Sequence, residues 1–364
     1  MKTQAKIKLL LAAVLMLATG FATGFDAAAK SPKVKNIILF IGDGMGTAHL
    51  YAGMTVSNQP LNLVQFPYSG FSITFSADNY ITDSAAGGTA IACGVKTNNG
   101  MIGVTPDSVP VSSIVAIAHN RGLATGVLST STVTHATPAS FVAHNSGRGN
   151  YEDIAKDFLN GTVDVLIGGG EDHFRKRADG KDLTADLKAQ GFDVVTSLES
   201  LKASMSPKLA GLLAKEHMPK ASEGRQGVLA EMTGKAIEIL SRDKDGFFMM
   251  VEGSMIDWGG HDKNIDYVTS EMIDMDNAIG AALEFAKKNK NTLIVVTADH
   301  ETGGLSLTGG SYKEHSISAN FAGTDHTAVM VPILAYGPGA ERFSGINDNT
   351  FFLDTFLNLL KIKK

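Results

Sequence analysis

Seven short apolar runs recur along the chain, and none of them alternates apolar and polar residues at every second position. Such runs are typical of strands covered on both faces, because a half-exposed strand shows a two-residue alternation. We therefore predict buried strands at residues 36–41, 124–129, 163–168, 192–197, 247–251, 292–298 and 331–337. The pattern indicates a central sheet that lies inside the protein.

Helical patterns fill the stretches between these runs, and we predict helices at residues 111–121, 151–159, 228–242, 269–288 and 350–360. In the fourth of these, Met272, Met275 and Ile279 fall on one face, as in a helix that packs on a core. The alternation of strands and helices predicts an α/β fold, with a doubly wound, mostly parallel central sheet and helices on both faces. Neither a repeat nor a clear linker interrupts residues 30–364, so we expect one domain there.

The first 29 residues have the pattern of a signal peptide. Three lysines precede an apolar run at residues 9–22, and the alanines at 27–29 resemble a cleavage site. The apolar run is too short to span a membrane comfortably. We predict export to the periplasm or secretion, with a mature chain that begins near Lys30 and keeps no membrane span; an uncleaved anchor is the alternative.

Composition narrows the classes of partner. The 364 residues are 44% hydrophobic and 19% charged, which is ordinary for a globular protein with a large core. The net charge is −5, or −7 once residues 1–29 with their net charge of +2 are removed. The sequence contains no long basic run, which argues against a nucleic-acid-binding role. Cys93 is the only cysteine, so the chain forms no intramolecular disulfide.

Acidic residues follow three of the predicted strands. Asp43 comes after the first run, Glu252 after the fifth, and Asp299 with His300 after the sixth. In an open α/β sheet the ligand site lies beyond the carboxyl ends of the strands, so we expect these side chains at one edge. Carboxylates gathered there repel one another unless cations neutralise them. The pattern predicts a metal site, where histidine with carboxylate suits Zn²⁺ and a set of oxygens suits Mg²⁺.

Other segments add candidate ligands. Asp257 and His261 are four residues apart, which places them on one face of a helix, although two glycines between them make a ligand-bearing loop equally compatible. His135 and Thr137 follow a predicted strand, where a capped helix start is the alternative, and His326 lies between Asp and Thr. The remaining histidines lack such a setting, and we expect packing or surface roles for His49, His119, His144, His173, His217 and His315.

The segment NYITDSAAGGTAIACG, residues 79–94, places Asp83 directly before Ser84. A short polar residue before small residues is a common helix start, since its side chain accepts hydrogen bonds from free backbone N–H groups. The same position puts a hydroxyl in the positive potential of a helix N-terminus, which suits phosphate. The local sequence therefore leaves two roles open for Ser84, a residue that opens a helix and a nucleophile.

Taken in order, these segments resemble the motifs of the alkaline phosphatase family. They are IGDGMG, TDSAAGGTA, HATPASFVAHNSGR, VEGSMIDWGGH, TADHETGG and TDHTA, and they span nearly all of the expected mature chain. The resemblance implies that residues 30–364 are an alkaline-phosphatase-like catalytic domain. Such a domain hydrolyses phosphate monoesters of broad range through a phosphoserine intermediate and releases inorganic phosphate. The resemblance further implies two Zn²⁺ and one Mg²⁺ as cofactors. It also suggests a homodimer, for which the sequence identifies no interface.

The resemblance also assigns roles to individual residues. Ser84 would be the nucleophile, and Arg148, oriented by Asp83, would grip two phosphate oxygens with its planar guanidinium. The implied ligand sets are Asp257, His261 and His326 for one Zn²⁺, Asp43, Asp299 and His300 for the second, and Asp43, Thr137 and Glu252 for Mg²⁺.

Two positions depart from the best-known bacterial pattern of this family. That pattern has Asp where His135 stands and Lys where Trp258 stands, and we expect both side chains beside the substrate phosphate. The missing lysine removes one positive charge, so we expect weaker retention of phosphate and faster release of product. His135 leaves the identity of the third metal open.

Two alternatives stand beside this function, and only the second belongs to another functional class. A related hydrolase of phosphodiesters or sulfate esters would share the fold, but TDSAAGG lacks the modification motif of a sulfatase. Diesterases of this superfamily usually have threonine as the nucleophile and lack the Arg148 segment. An exported protein that binds metal or phosphate without catalysis would keep the metal ligands but would need no Ser84.

Overall fold

A ten-stranded sheet forms the centre of the protein. The computed structural model describes residues 33–363. The strands are β1 (Asn36–Gly42), β2 (Tyr68–Ile73), β3 (Ala124–Thr132), β4 (Val165–Gly169), β5 (Asp193–Val195), β6 (Leu209–Ala214), β7 (Phe247–Gly253), β8 (Thr292–Thr297), β9 (Glu301–Thr302), β10 (Leu305–Ser311), β11 (Ser316–Phe321), β12 (His326–Thr327), β13 (Val331–Tyr336) and β14 (Gly345–Asp348). The order in the central sheet is β14-β2-β13-β8-β1-β7-β3-β4-β6-β5, and β10–β11 and β12–β9 form two small sheets.

The central sheet is mostly parallel. Strand β13 runs antiparallel to both of its neighbours, β2 and β8, whereas the other neighbouring pairs described are parallel. This arrangement, with helices around the sheet, confirms the predicted fold class. Because parallel strands end at the same edge, the sheet brings residues from distant parts of the chain together there.

Helices cover both faces of this sheet. They are α1 (Thr47–Val56), α2 (Ser84–Cys93), α3 (Ile114–Asn120), α4 (Ala136–Ala139), α5 (Tyr151–Asp157), α6 (Glu171–Arg175), α7 (Leu183–Ala189), α8 (Leu198–Ala203), α9 (Val228–Leu240), α10 (Met255–His261), α11 (Ile265–Lys288) and α12 (Phe351–Leu360). Strand β1 is buried throughout, and its successive side chains pack alternately in two cores. Ile37 and Leu39 pack in the core that includes α2, α3 and α12, whereas Ile38 and Phe40 pack in the core that includes α9 and α11.

The strands and helices predicted from the sequence are all present, with their ends shifted by a few residues. Prediction missed β2 because this strand exposes Phe71 and Ile73 while it buries Gly70 and Ser72, the reverse of the usual pattern. It missed β6 because a short Leu- and Ala-rich run has no period that separates a strand from a helix. The polar strands β10 and β11 give no apolar signal.

Residues 33–363 lie in one compact unit. The predicted signal peptide, residues 1–29, lies outside the described residues. In the range 33–363, none of the helices combines the length and the apolar character needed to cross a lipid bilayer.

Candidate metal and phosphate site

Three adjacent strands deliver carboxylates to one edge of the sheet. Strands β8, β1 and β7 lie side by side, and Ile41 of β1 pairs with both Glu252 and Thr297, so the three strands end at the same level. Asp43 follows β1, Glu252 lies at the end of β7, and Asp299 follows β8. All three carboxylates are fully buried. The carboxyl edge of the sheet therefore gathers the acidic side chains that follow the predicted strands.

The side chains at this edge form three groups that could hold metal ions, and within each group the ligand atoms lie within 4.8 Å of one another. The groups are Asp257, His261 and His326; Asp43, Asp299 and His300; and Asp43, His135 and Glu252. We call them the first, second and third groups. The first and second have the same members as the two sets that the resemblance implied for zinc. Asp43 belongs to two groups, so it joins the second to the third.

Helix α10 carries two members of the first group on one face. His261 Nε2 lies 3.2 Å from Asp257 Oδ2, so the helix, and not the alternative loop, sets their spacing. His326 comes from β12, and its Nε2 lies 3.5 Å from Asp257 Oδ1. The other nitrogens of the two rings face backbone carbonyls, that of Thr324 for His261 and that of Thr82 for His326. These carbonyls orient the rings so that each Nε2 points at Asp257.

The second group centres on His300. Its Nε2 lies 3.4 Å from Asp43 Oδ1 and 3.3 Å from Asp299 Oδ2. The His300 ring also stacks on the ring of His326, with centroids 3.5 Å apart, so the first and second groups are in direct contact. Asp299 Oδ1 accepts hydrogen bonds from the backbone N–H groups of Gly44 and His300. Its other oxygen is left for a ligand.

Helix α2 places Ser84 at this cluster. Asp83 is the N-cap and accepts a hydrogen bond from the N–H of Ala86, so the capping role falls to Asp83 and not to Ser84. The whole helix is buried, which its small side chains permit. Ser84 Oγ lies 3.2 Å from His300 Nε2. The hydroxyl therefore sits both at a helix N-terminus and against the second group.

Arg148 is held beside the nucleophile segment by Asp83. Its Nη1 donates to Asp83 Oδ2 at 2.8 Å, and the same oxygen accepts from the N–H of Gly100 at 2.9 Å. The backbone N–H of Arg148 donates to the carbonyl of Gly100. The backbone of Gly100 therefore binds both members of the Asp83–Arg148 ion pair. The Arg148 side chain is 30% exposed, so part of the guanidinium can meet a ligand from solution.

The third group lies at the start of α4. Thr137 Oγ1 is 3.4 Å from Asp43 Oδ2, and Glu252 Oε2 accepts a hydrogen bond from Ser129 at 2.5 Å. His135 occupies the N-cap position of α4 but makes no capping bond with its side chain. The helix start that was the alternative for this segment is therefore present. The ring of His135 nevertheless belongs to the third group with Asp43 and Glu252, close to the position expected from the sequence.

Burial and mutual repulsion shift the pKa values of the clustered carboxylates. Burial, followed by the charge of Asp299, raises the pKa of Asp43 well above its usual value. Burial also raises the pKa of Asp299 to about 6 and the pKa of Glu252 to about 7. Each shift means that the charged form is disfavoured in the metal-free protein. Cations bound here would remove that penalty.

The histidines respond to the same surroundings. Burial alone would raise the pKa of Asp257, but the hydrogen bond from His261 and the nearby charges of other histidines lower it. In turn, the hydrogen bond to Asp257 raises the pKa of His261 to about 9. Burial, followed by the charge of His326, lowers the pKa of His300 well below its ordinary value. His300 is therefore neutral near pH 7, the form in which its Nε2 can bind a metal.

The residues fit metal ions. Four buried polar atoms in the second and third groups have no hydrogen-bond partner within residues 33–363: Asp43 Oδ1, His135 Nδ1, Glu252 Oε1 and Asp299 Oδ2. Buried polar atoms normally have partners, and cations would serve these four. The first group, with two histidines and one carboxylate, suits Zn²⁺. The second and third groups each combine two carboxylates with one histidine, and the hydroxyl of Thr137 beside Asp43 makes the third group richer in oxygen, which suits an ion such as Mg²⁺.

A sequence profile of the family described as alkaline phosphatase matches residues 34–321. The chain belongs to the alkaline phosphatase family. Alkaline phosphatase 4 of Bacillus subtilis (strain 168) is 34% identical, over 99% of this chain and 98% of that protein. The alkaline phosphatase of Escherichia coli (strain K12) is 33% identical, over 90% of this chain and 86% of that protein. The family predicted from the ordered motifs is therefore confirmed.

Solved structures of alkaline phosphatases resemble the whole described chain. The alkaline phosphatase of the Antarctic bacterium TAB5 is 42% identical and superposes with a TM-score of 0.87, covering 92% of this chain and 100% of that chain. A variant of the TAB5 enzyme has Mg bound in its M3 site. The similarity to the TAB5 enzyme over most of both chains supports the observed fold.

The site also includes contacts from side chains to which the sequence assigned no site role. Thr302 Oγ1 donates to Asp257 and lies 3.3 Å from His300 Nδ1, so one hydroxyl contacts both the first and the second group. The ring of His217 packs against Trp258, with centroids 4.7 Å apart, and against His135. These contacts join residues that are far apart in the chain, and no local pattern reports them.

Proposed function

We propose that this alkaline phosphatase hydrolyses phosphate monoesters of broad range in two steps, with Ser84 as the nucleophile. Membership of the family supports the class of reaction, the hydrolysis of phosphoric monoesters. The single observation that carries the assignment of the nucleophile is the place of Ser84 Oγ, 3.2 Å from His300 Nε2 at the N-terminus of a buried helix. A serine that only opened the helix would lie at the helix N-terminus as well, but it would not need the ring of His300.

The three groups of side chains are proposed to bind two Zn²⁺ and one Mg²⁺. The first and second groups would each hold a zinc ion, and Asp43, Thr137, Glu252 and His135 would surround the magnesium ion. The Mg-bound structure of the TAB5 variant supports magnesium in this family. When bound, these ions lower the pKa of an oxygen nucleophile and neutralise charge on the phosphate and the leaving oxygen.

The residues of the chain divide the work of both steps. Arg148, held by Asp83, would bind two non-bridging oxygens of the phosphate with its planar guanidinium. In the first step a bond forms between Ser84 Oγ and phosphorus, the bond to the ester oxygen breaks, and the alcohol leaves with a proton. In the second step water attacks phosphorus, the bond to Ser84 Oγ breaks, and inorganic phosphate leaves. Positioning and charge stabilisation supply most of the rate.

The contact between Ser84 and His300 is also compatible with a second mechanism, that of a metal-free serine hydrolase in which His300 is the general base. In such a site the second ring nitrogen usually faces a carboxylate, which orients the base. Here His300 Nδ1 faces the hydroxyl of Thr302, whereas Nε2 lies against two carboxylates as well as Ser84. This geometry favours His300 as a metal ligand.

Substrate class can be tested with three nitrophenyl esters: the phosphate monoester, the bis-substituted diester and the sulfate. Since Arg148 and the metal groups suit a doubly charged phosphate, we expect kcat/KM for the monoester to exceed that for the diester by at least about 100-fold. The sulfate ester should react more slowly still. A diester that reacts as fast as the monoester would move the chain to the related diesterases.

Replacement of Trp258 tests the missing charge beside the phosphate. Trp258 packs against His217 and His135, with ring centroids 4.7 and 6.2 Å away, so it lies next to the third group. Trp258→Lys adds one positive charge there, worth about 1 kcal/mol, and should lower the inhibition constant for inorganic phosphate about fivefold while slowing turnover. Trp258→Phe is the uncharged control. Unchanged phosphate inhibition and turnover in Trp258→Lys would contradict this role.

Export and assembly as a homodimer stay predictions. Export rests on residues 1–29, whose pattern is that of a signal peptide. For a homodimer, a candidate surface lies on and just after β2, where Phe71 and Ile73 of the strand and Phe75 beyond its end are each about two-fifths exposed. Ile346 of the neighbouring edge strand pairs with Phe71 and is 63% exposed. An apolar sheet face of this kind is typical of protein–protein contacts.

A further inference from the structure

Glu301 follows His300 directly and is buried, with 3% of its surface exposed. Its Oε1 accepts a hydrogen bond from the N–H of Leu305 at 3.0 Å, and its Oε2 accepts from the N–H of Gly304 at 3.2 Å. Oε2 also accepts from the hydroxyl of Thr327, the residue after His326. The carboxylate therefore connects the segment that carries His300 to the segment that carries His326.

Residues 33–363 provide no lysine or arginine partner for this carboxylate. Among the residues that the structure describes, the one basic side chain in ion-pair range is His49, whose Nδ1 lies 3.9 Å from Glu301 Oε1. Burial lowers the pKa of His49 to about 4, and its Nδ1 accepts a hydrogen bond from Gly46, so this ring is neutral near pH 7. A buried carboxylate without a cation carries a desolvation cost, which hydrogen bonds offset only in part. The three hydrogen bonds that this carboxylate accepts therefore point to its task.

That task is visible in the small sheet β9–β12. Glu301 pairs with Thr327 and Thr302 pairs with His326, and each strand contains two residues. The whole hairpin β10–β11 separates these strands along the chain, so bringing His326 back to His300 costs loop-closure entropy. Two residue pairs supply few backbone hydrogen bonds for this purpose. The side-chain bond from Thr327 to Glu301 adds a third fixed point.

Glu301 also touches the segment that carries Asp43. A Cβ atom at Gly46 would lie 2.4 Å from Glu301 Cγ, so the glycine leaves room for the carboxylate side chain. Gly46 is the last residue of the motif IGDGMG. Glu301 is thus packed against three segments whose side chains form the first and second groups, although it belongs to neither group.

We propose that Glu301 is a positioning residue that holds His326, through the hydroxyl of Thr327, in the place where the first group binds zinc. The proposal rests on the proposed function, because it requires zinc at Asp257, His261 and His326. Residues that orient metal ligands typically change metal affinity by about 10- to 100-fold when they are removed. Loss of the link should therefore release zinc from the first group without unfolding the protein.

The test uses the zinc-loaded enzyme and the variants Glu301→Gln, Thr327→Val and the double variant. The readout is the rate at which a chromogenic chelator removes zinc, together with the zinc content by elemental analysis. Glu301→Gln removes the charge but keeps the size of the side chain, and Thr327→Val removes the hydroxyl. We expect each single variant to release one zinc ion at least about tenfold faster than wild type. The double variant should be no faster than the faster single variant, because both lose the same link.

Two controls make the result specific. Glu314→Gln makes the same charge change at an exposed position in the turn of the β10–β11 hairpin and should leave zinc release unchanged. Unfolding of the metal-free variants, followed by circular dichroism, should match that of Glu314→Gln. If Glu301→Gln does not fold, Thr327→Val tests the same link with a smaller change.

Different failures have different meanings. If wild type holds zinc and hydrolyses monoesters but Glu301→Gln and Thr327→Val release zinc at the wild-type rate, the positioning role is wrong. The role is also wrong if the two substitutions act additively in the double variant. If wild type binds no zinc, the proposed function fails first.

Discussion

Replacement of Ser84 by alanine is expected to reduce hydrolysis of a chromogenic phosphate monoester by about 10³-fold or more, because the first step loses its nucleophile. The fold should remain intact. Asp83, and not Ser84, caps helix α2 through the N–H of Ala86, and alanine is a good helix former. Ser84 is almost fully buried, so the substitution removes one oxygen and leaves the surface unchanged.

The measurement compares kcat for wild type and Ser84→Ala together with zinc content and the midpoint of urea unfolding. Zinc content should be unchanged, since Ser84 belongs to none of the three groups. Asp83→Asn is a useful second variant: it weakens the contact with Arg148 and should raise KM for the monoester while it retains measurable turnover. Activity of Ser84→Ala near the wild-type level would remove Ser84 from the reaction.

Removal of the metal ions is expected to abolish monoester hydrolysis, and addition of Zn²⁺ and Mg²⁺ should restore it. Prolonged dialysis against a chelator, followed by elemental analysis, measures the loss directly. A metal-free serine hydrolase that used His300 as its base would keep its activity through this treatment. The experiment therefore distinguishes His300 as a metal ligand from His300 as the general base of a metal-free enzyme.

Metal removal also gives the stability of the protein a characteristic dependence on pH. The pKa of Glu252 in the folded, metal-free protein is raised from 4.5 to about 7, so the folded state binds more protons than the unfolded chain in this range. The contribution of Glu252 to the free energy of unfolding is thus retained below about pH 4.5 and lost as pH rises to about 7. The full change amounts to about 3 kcal/mol.

The pH dependence of the wild type alone does not isolate this contribution. Buried histidines such as His49 and His135 have lowered pKa values, so their contribution to the free energy of unfolding changes with pH in the opposite direction below pH 6.5. The difference between wild type and Glu252→Gln removes their effect. In metal-free protein the variant should gain stability relative to wild type between pH 5 and pH 8. With Zn²⁺ and Mg²⁺ bound the order should reverse, since the variant has lost a ligand. A difference that does not vary with pH would show that burial does not raise the pKa of Glu252 in the metal-free protein.

The carboxyl edge of the sheet was predictable because parallel strands end at one edge. Asp43, Glu252 and Asp299 each follow an apolar run, and topology alone brings them together. The spacing of Asp257 and His261 was compatible with a helix or a loop, and the helix α10 forms although it contains two glycines. Packing decides such cases: a Cβ atom at Gly259 would lie 2.7 Å from the backbone nitrogen of Val268.

Residues that act through contacts between distant segments could not be predicted from local patterns. Thr302 reaches Asp257 and His300, and His217 reaches Trp258, only after the sheet and the loops have formed. Glu301 adjoins a predicted ligand in sequence, but its partner Thr327 is known only from the pairing of β9 with β12. Sequence patterns report elements and their order, whereas these side chains depend on register and loop closure.

The chemical identity of the intermediate tests the role of Ser84 most directly. Enzyme mixed with a phosphate monoester and quenched in acid after a few milliseconds can be digested and analysed by mass spectrometry. A phosphoryl group should appear on Ser84, should be absent when Ser84→Ala is treated in the same way, and should form only in protein that contains metal. A phosphoryl group on another residue, or turnover with none on Ser84 at any quench time, would show that Ser84 is not the nucleophile.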